Sequence, residues 1–297
     1  MMLRCCSVPV LLALPVVLLS APLHGQSFTP EVEGHADTAV PPSAPAILER
    51  AFERAIAQDA EGLELGFEYV LDSTVESLNG DGVATDTETA RYRRYALEGL
   101  LYEELIAQDG QPLDGEEARD EVERRAEFVE EARKHAERGE PYEPNEMAVR
   151  FDRELMGRYD TMLIGTGAVG DHICWVLGFE PREGKLPDNR SIDKALNRST
   201  GRLWIAQDDY GVARISFEMQ EPFRYLWGLA ATLRHAAGQL DFERIDHNLW
   251  IPARFDLELD LRVFFKGIRR RIMQRSVEYG RLGEQGGANW STFEPVE

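Results

Sequence analysis

Between residues 200 and 265 apolar and polar side chains trade places at every second position, and that period restricts the fold more than any other part of the chain. Ala213, Ile215, Phe217 and Met219 alternate with Arg214, Ser216 and Glu218. Further on, Phe255, Leu257, Leu259, Leu261 and Val263 alternate with Asp256, Glu258, Asp260 and Arg262. Successive strand residues point to opposite faces, so each run is a strand with one apolar and one wet face. Asp208-Asp209-Tyr210-Gly211 and Asp246-His247-Asn248 supply turn chemistry between such runs. The stretch reads as an antiparallel meander: strand, turn, strand, an apolar excursion over 222–237, strand, turn, strand.

Residues 1–25 carry Arg4, then an apolar run from Val8 to Leu19, then a small-residue exit ending at Gly25. This is the pattern of a secretory signal peptide, and it places the mature chain, from Gln26, in the periplasm with no transmembrane segment. Cys5 and Cys6 precede the apolar run and leave with it, so Cys174 is the lone cysteine of the mature chain and no intrachain disulfide forms. A formal charge of −20 makes the chain a poor candidate for nucleic acid or for anionic membrane surfaces.

Residues 26–45, with four prolines, read as a flexible leader, and 46–282 as one domain followed by a tail over 283–297. Ile47, Phe52, Ala55 and Ile56 space as a helix over 46–60. Leu63, Leu65, Phe67, Tyr69 and Leu71 alternate as a first core strand, and Asn79-Gly80-Asp81-Gly82 turns it into a second strand over 83–97. A short strand follows over 100–107. Residues 115–138 predict a charged helix whose apolar line is Ala118, Val122, Ala126, Val129 and Ala136, too narrow to cover much surface, so it crosses a sheet edge or projects. A shorter helix is expected over 145–156. Strands over 159–164 and 173–179, one or two helical turns within 182–200, and a last strand over 268–279 complete the reading.

Few motifs carry chemistry. Gly165-Thr-Gly-Ala-Val-Gly170 matches a dinucleotide-binding fingerprint, but the β-prone Ile173-Cys174-Trp175-Val176 follows where a helix is required, so it reads as a hairpin loop. The histidines have no metal spacing, and no nucleophile motif is present; no cofactor or catalytic residue is indicated. Cys174 reads as a buried structural thiol. Arg269, Arg270 and Arg271 admit two readings: a basic face for a phosphate, headgroup or acidic partner, or, favoured, pairing with Asp256, Glu258 and Asp260 on a neighbouring strand.

Several stretches occur in a familiar order: Tyr95 to Ile106, the charged helix after Gly115, Cys174-Trp-Val-Leu177, Gly201-Arg-Leu-Trp-Ile205 and Asn248-Leu-Trp-Ile-Pro252. Over residues 63–282 the chain resembles exported bacterial proteins related to the outer-membrane lipoprotein-sorting (Lol carrier-like) superfamily. The resemblance implies an α+β, mainly antiparallel fold: a strongly curved unclosed barrel with helices covering its concave face. It also implies non-catalytic binding of a lipid or lipoprotein acyl chain. The expected wall residues are Phe67, Tyr69, Phe217, Met219, Leu257, Leu259 and Leu261, with Trp227 and Leu229 as a lid hinged at Gly228 and Gly238. The alternative is a cell-envelope interaction, scaffold or sensor domain in which the same residues are filled core and the charged helix meets a protein partner.

Overall fold

The computed structural model describes residues 41–139, 149–190, 192–225, 231–246 and 249–281. Among the described residues twelve strands form one sheet: β1 (Phe67–Leu78), β2 (Ala84–Leu97), β3 (Leu100–Gln108), β4 (Gln111–Pro112), β5 (Tyr159–Val169), β6 (His172–Pro181), β7 (Ser199–Ala206), β8 (Val212–Met219), β9 (Phe223–Tyr225), β10 (Ala231–Asp246), β11 (Leu249–Val263) and β12 (Lys266–Arg281). The helices are α1 (Ala44–Ala60), α2 (Gly115–Arg138), α3 (Arg153–Met156) and α4 (Asp193–Leu196). The strand order is β4-β3-β2-β1-β12-β11-β10-β8-β7-β6-β5, with β9 added beside β10, and every pair is antiparallel. β4 and β5 are the two ends of this path, so the sheet is an unclosed half-barrel.

Register explains why the alternation folds this way. One row across the sheet joins Phe179, Gly201, Phe217, Gly238, Leu257, Ile272 and Val75, each opposite the next. The next joins Leu163, Leu177, Leu203, Ile215, Leu240 and Phe255. Partners directly opposite share a face, so both rows line one side, the inner face. The rows need their glycines: a β-carbon on Gly201 would stand 1.9 Å from the Ser216 carbonyl oxygen and 2.5 Å from the Phe179 ring. The ring fills the place of the missing side chain.

The outer face is a lattice of cross-strand ion pairs. Arg271 lies between Glu258 and Glu76, at 3.0 Å from each, bridging β11, β12 and β1. Arg269 meets Asp260 at 3.1 Å, and Arg91 meets Asp72 at 2.9 Å. The favoured reading of the arginine run therefore holds for Arg269 and Arg271. Arg270 points to the opposite face, across from Leu259 and Ser77.

Several sequence expectations change. Residues 63–66 form a 3-10 turn, and β1 starts only at Phe67, because Gly62 in the left-handed region (φ 59) ends α1 and starts a second tight turn. The 145–156 helix shrinks to α3 where it is described: Asp152 accepts from the Leu155 amide (2.7 Å) as an N-cap, so the helix begins after it. Helix α2 has the expected bounds but buries a different line, Glu121, Phe128 and Ala132, and leaves Val122 70% exposed. It packs on the outer face against Tyr95 and Tyr102, where the Tyr102 hydroxyl donates to Glu121 (2.7 Å). Most of the 222–237 excursion is strand, with Gly238 inside β10 opposite Phe217 and Leu257, so it is no hinge.

Candidate functional site

Helix α1 lies over the inner face and is held there at several points. It buries Ile47, Leu48, Ala51 and Phe52 against Trp175, Leu177, Phe179, Leu203 and Ile205. The Gln58 side-chain amide bonds the backbone N–H and C=O of Trp250, each at 3.0 Å, pairing with the start of β11 as a neighbouring strand would. Arg54 meets Asp209 at 3.0 Å, and the Arg50 guanidinium stacks 4.4 Å over the Tyr210 ring. Phe151 and α3 close over the helix from the side, with the Phe151 and Phe52 ring centroids 5.1 Å apart.

Between this cover and the sheet runs a cleft of about 990 Å³. Its floor comes from the two rows: Phe179, Leu203, Ile215, Phe217 and Leu240, extended by Phe242. Its cover is Phe52, Ala55 and Ile56 of α1, Leu63 and Leu65 of the 3-10 turn, and Leu155 and Met156 of α3. Polar groups, among them Asp59, Glu64, Arg94, Asp152 and Arg153, also line it. Arg94 donates to the Tyr69 hydroxyl (2.7 Å), which donates on to Glu64 (3.2 Å), and burial raises the Tyr69 phenol well above the ordinary tyrosine range. The cleft thus has the make-up of a small-molecule site, mostly apolar walls with a few fixed polar groups.

Of the expected wall residues that are described, the structure brings only Phe217 to the cleft. Phe67 and Tyr69 pack with Leu249, Ile251 and Tyr279 in a separate cluster. Leu257 belongs to a cluster with Leu240, Phe255 and Ile272, beneath the same inner face. Met219, Leu259 and Leu261 gather around α4 with Ala195, Phe223, Leu233 and Ala236. Trp227 and Leu229 lie outside the described residues. Phe179, Leu203, Ile215, Leu240 and Phe242 were missed, although each sits in an alternating run; the period gives the face of a residue but not which stretch of that face a helix leaves open.

The other candidates resolve simply. Gly165 to Gly170 span the end of β5 and its turn into β6, with no helix after them. Cys174 is fully buried, and burial pushes its thiol up to about 11. Among the described residues no group of three His, Cys, Asp or Glu side chains is arranged to hold a metal ion. Nor is any described helix long and apolar enough to cross a membrane.

No family model matches the sequence, and no curated protein matches it. Among solved structures the chain is similar to a domain assigned to outer membrane lipoprotein sorting from Vibrio parahaemolyticus. That match has 10% identity and a TM-score of 0.31, covering 80% of this chain and 94% of that one. It is similar to a DUF1329 family protein from Desulfovibrio piger, at 11% identity and a TM-score of 0.29, covering 80% and 94%. It is also similar to a LolA superfamily protein from Nitrosomonas europaea, at 13% identity and a TM-score of 0.29, covering 80% and 93%.

Proposed function

We propose that the chain is a non-catalytic periplasmic protein that takes the acyl chain of a lipid or lipoprotein into the cleft between α1, α3 and the inner face of the sheet. The observation that carries this reading is the cleft itself: about 990 Å³ walled by Phe52, Leu203, Ile215, Phe217, Leu240 and Phe242. A volume near the top of the range usual for ligand pockets, about 300–1,000 Å³, suits a long flexible apolar ligand. Wall residues therefore shift from those expected toward the floor rows, with Phe217 common to both sets.

Uptake of a fluorescent fatty-acid probe tests it. The unaltered chain is expected to bind the probe, and Ile215→Trp, which fills the floor, to abolish binding with the fold intact. Leu259→Trp, in the cluster around α4, is expected to leave uptake unchanged. A chain blind to the probe, with Ile215→Trp destabilising it by about 1–3 kcal/mol as overpacking does, refutes the reading. That outcome favours an envelope interaction protein, for which α2 offers a groove over Val122, Ala126 and Val129, edged by Arg125, Glu130 and Arg133.

A further inference from the structure

The hairpin from β11 to β12 turns through two residues, Phe264 and Phe265, with Val263 and Lys266 as the last pair. Two-residue hairpin turns require positive φ, which Gly, Asn and Asp accept readily. Here Phe264 holds φ 50, in the region an L side chain with a bulky ring avoids. Both rings also stand in water: Phe264 is 65% exposed and Phe265 94%. Neither feature helps the fold. Gly-Asn would make this turn, with positive φ at its first residue alone, without strain and without two exposed phenyl groups, and strain retained at a surface points to use.

The same end of the sheet is basic. Register sets Arg224 opposite Thr232, Thr232 opposite Arg262, and Arg262 opposite Gly267. Arg234 reaches within 3.5 Å of where a Gly267 β-carbon would stand. Lys266, Arg269 and Arg270 follow directly on β12. Asp260 lies among these cations, 3.1 Å from Arg269 and 3.6 Å from Arg234. The adjacent β1–β2 hairpin adds the exposed Val83 and, on the acidic side, Asp81 of the turn and Asp86 of β2; Arg269 ties it in through the Gly80 carbonyl, at 2.8 Å. In a chain of formal charge −20 this is a localised positive pole.

We propose that this pole docks the chain on an anionic phospholipid bilayer, with Phe264 and Phe265 seated at the headgroup–acyl boundary and the surrounding cations on the phosphates. Phe side chains presented by a basic surface element bury their apolar area at that boundary. Lys and Arg within a Debye length of the surface are drawn to it. The acidic remainder is repelled, which turns the basic end toward the membrane. Leu261, Leu259 and Leu257 then run along the inner face of β11 from the docked tip, over about 20 Å. The proposal does not depend on what the cleft binds.

Vesicle co-sedimentation of the chain from Gln26 onward tests it, with phosphatidylglycerol–phosphatidylethanolamine vesicles against phosphatidylcholine vesicles. The unaltered chain is expected to pellet with the anionic vesicles and to be released by salt. Phe264→Gly combined with Phe265→Ser is expected to weaken that binding by about tenfold or more, since it removes both interfacial aromatics. Lys266→Glu should weaken it on anionic vesicles alone. Phe264→Gly by itself should raise the unfolding midpoint, which separates a docking ring from a structural one. Equal pelleting of the double variant, indifference to lipid charge, no pelleting, or a lower midpoint for Phe264→Gly overturns the proposal. So does concentration-dependent self-association that the double variant loses, since that would assign the tip to a second copy of the chain.

Discussion

Replacing Gly201 by Ala adds a single methyl group to the middle of the sheet, and the structure gives it no room. The new β-carbon would stand 1.9 Å from the Ser216 carbonyl oxygen and 2.5 Å and 2.9 Å from two atoms of the Phe179 ring. Close carbon–oxygen contacts between strands run at about 3.3–3.6 Å, so β7 and β8 must part by more than an ångström at this pair. One or two ladder hydrogen bonds are lost or stretched, at about 0.5–1.5 kcal/mol each. Crowding of the ring adds about 1–3 kcal/mol, and the lower entropy of the unfolded Ala chain returns about 0.4–1 kcal/mol. The net expectation is a destabilisation of about 2–4 kcal/mol. Gly178, one strand away, is the control: an added β-carbon would meet Ile164 and Met162 at 3.6 and 3.7 Å, ordinary contact. Gly178→Ala should therefore be neutral or slightly stabilising. Urea unfolding followed by tryptophan fluorescence reads both as shifts in midpoint at constant slope. In a Phe179→Ala background Gly201→Ala should still destabilise, because the carbonyl clash remains after the ring is gone. Equal midpoints for the two glycine variants would refute the reasoning.

Three further outcomes rest on two buried groups. Arg158 and Asp193 form an ion pair at 3.1 Å with side chains 3% and 2% exposed. Arg158→Ala should cost about 3–5 kcal/mol, toward the lower figure because Arg190 still bonds Asp193, and a loss under about 1 kcal/mol in thermal unfolding would contradict it. The Cys174 thiol, raised by burial to about 11, should react slowly with thiol reagents until the chain unfolds. A group whose pKa is raised on folding keeps its proton longer in the native state. The unaltered chain should therefore lose stability relative to Cys174→Ala as pH rises from 9 through 11, and not below 9.

The parts of this fold legible in the sequence are those governed by a local period. The alternation in 213–219 and 255–263 gave strands and their apolar faces, and Asn79-Gly80-Asp81-Gly82 gave a hairpin turn. The bounds of α2 were legible as well, whereas its buried face was not. Counting aliphatic residues favoured Val122 and Val129, but the sheet presents two tyrosines, and Tyr102 makes a buried Glu121 acceptable by donating to it. The cleft needed information that no local pattern holds. Its floor joins residues from four strands, and its extent depends on where α1 stops covering them. Arg158 and Asp193 are 35 positions apart and look like ordinary surface charges in sequence. The Phe264-Phe265 pair was visible in the sequence as the end of an apolar run; only the register shows that it is the turn.

The strand order has a kinetic meaning. β1, the first strand, is paired along its whole length with β12, the last, so Phe67 lies opposite Arg281. Every other neighbouring pair except β10 with β8 joins strands consecutive in sequence. Hairpins such as β5–β6 and β11–β12 can close over short loops within microseconds. The β1–β12 seam waits for the entire chain, and its closure entropy must be met before its contacts form. A chain emerging from its N-terminus therefore carries a β1–β2–β3 piece with an unpaired β1 edge until residue 281 arrives. That edge is where a chaperone would have most to protect, and where truncated chains would be expected to aggregate first.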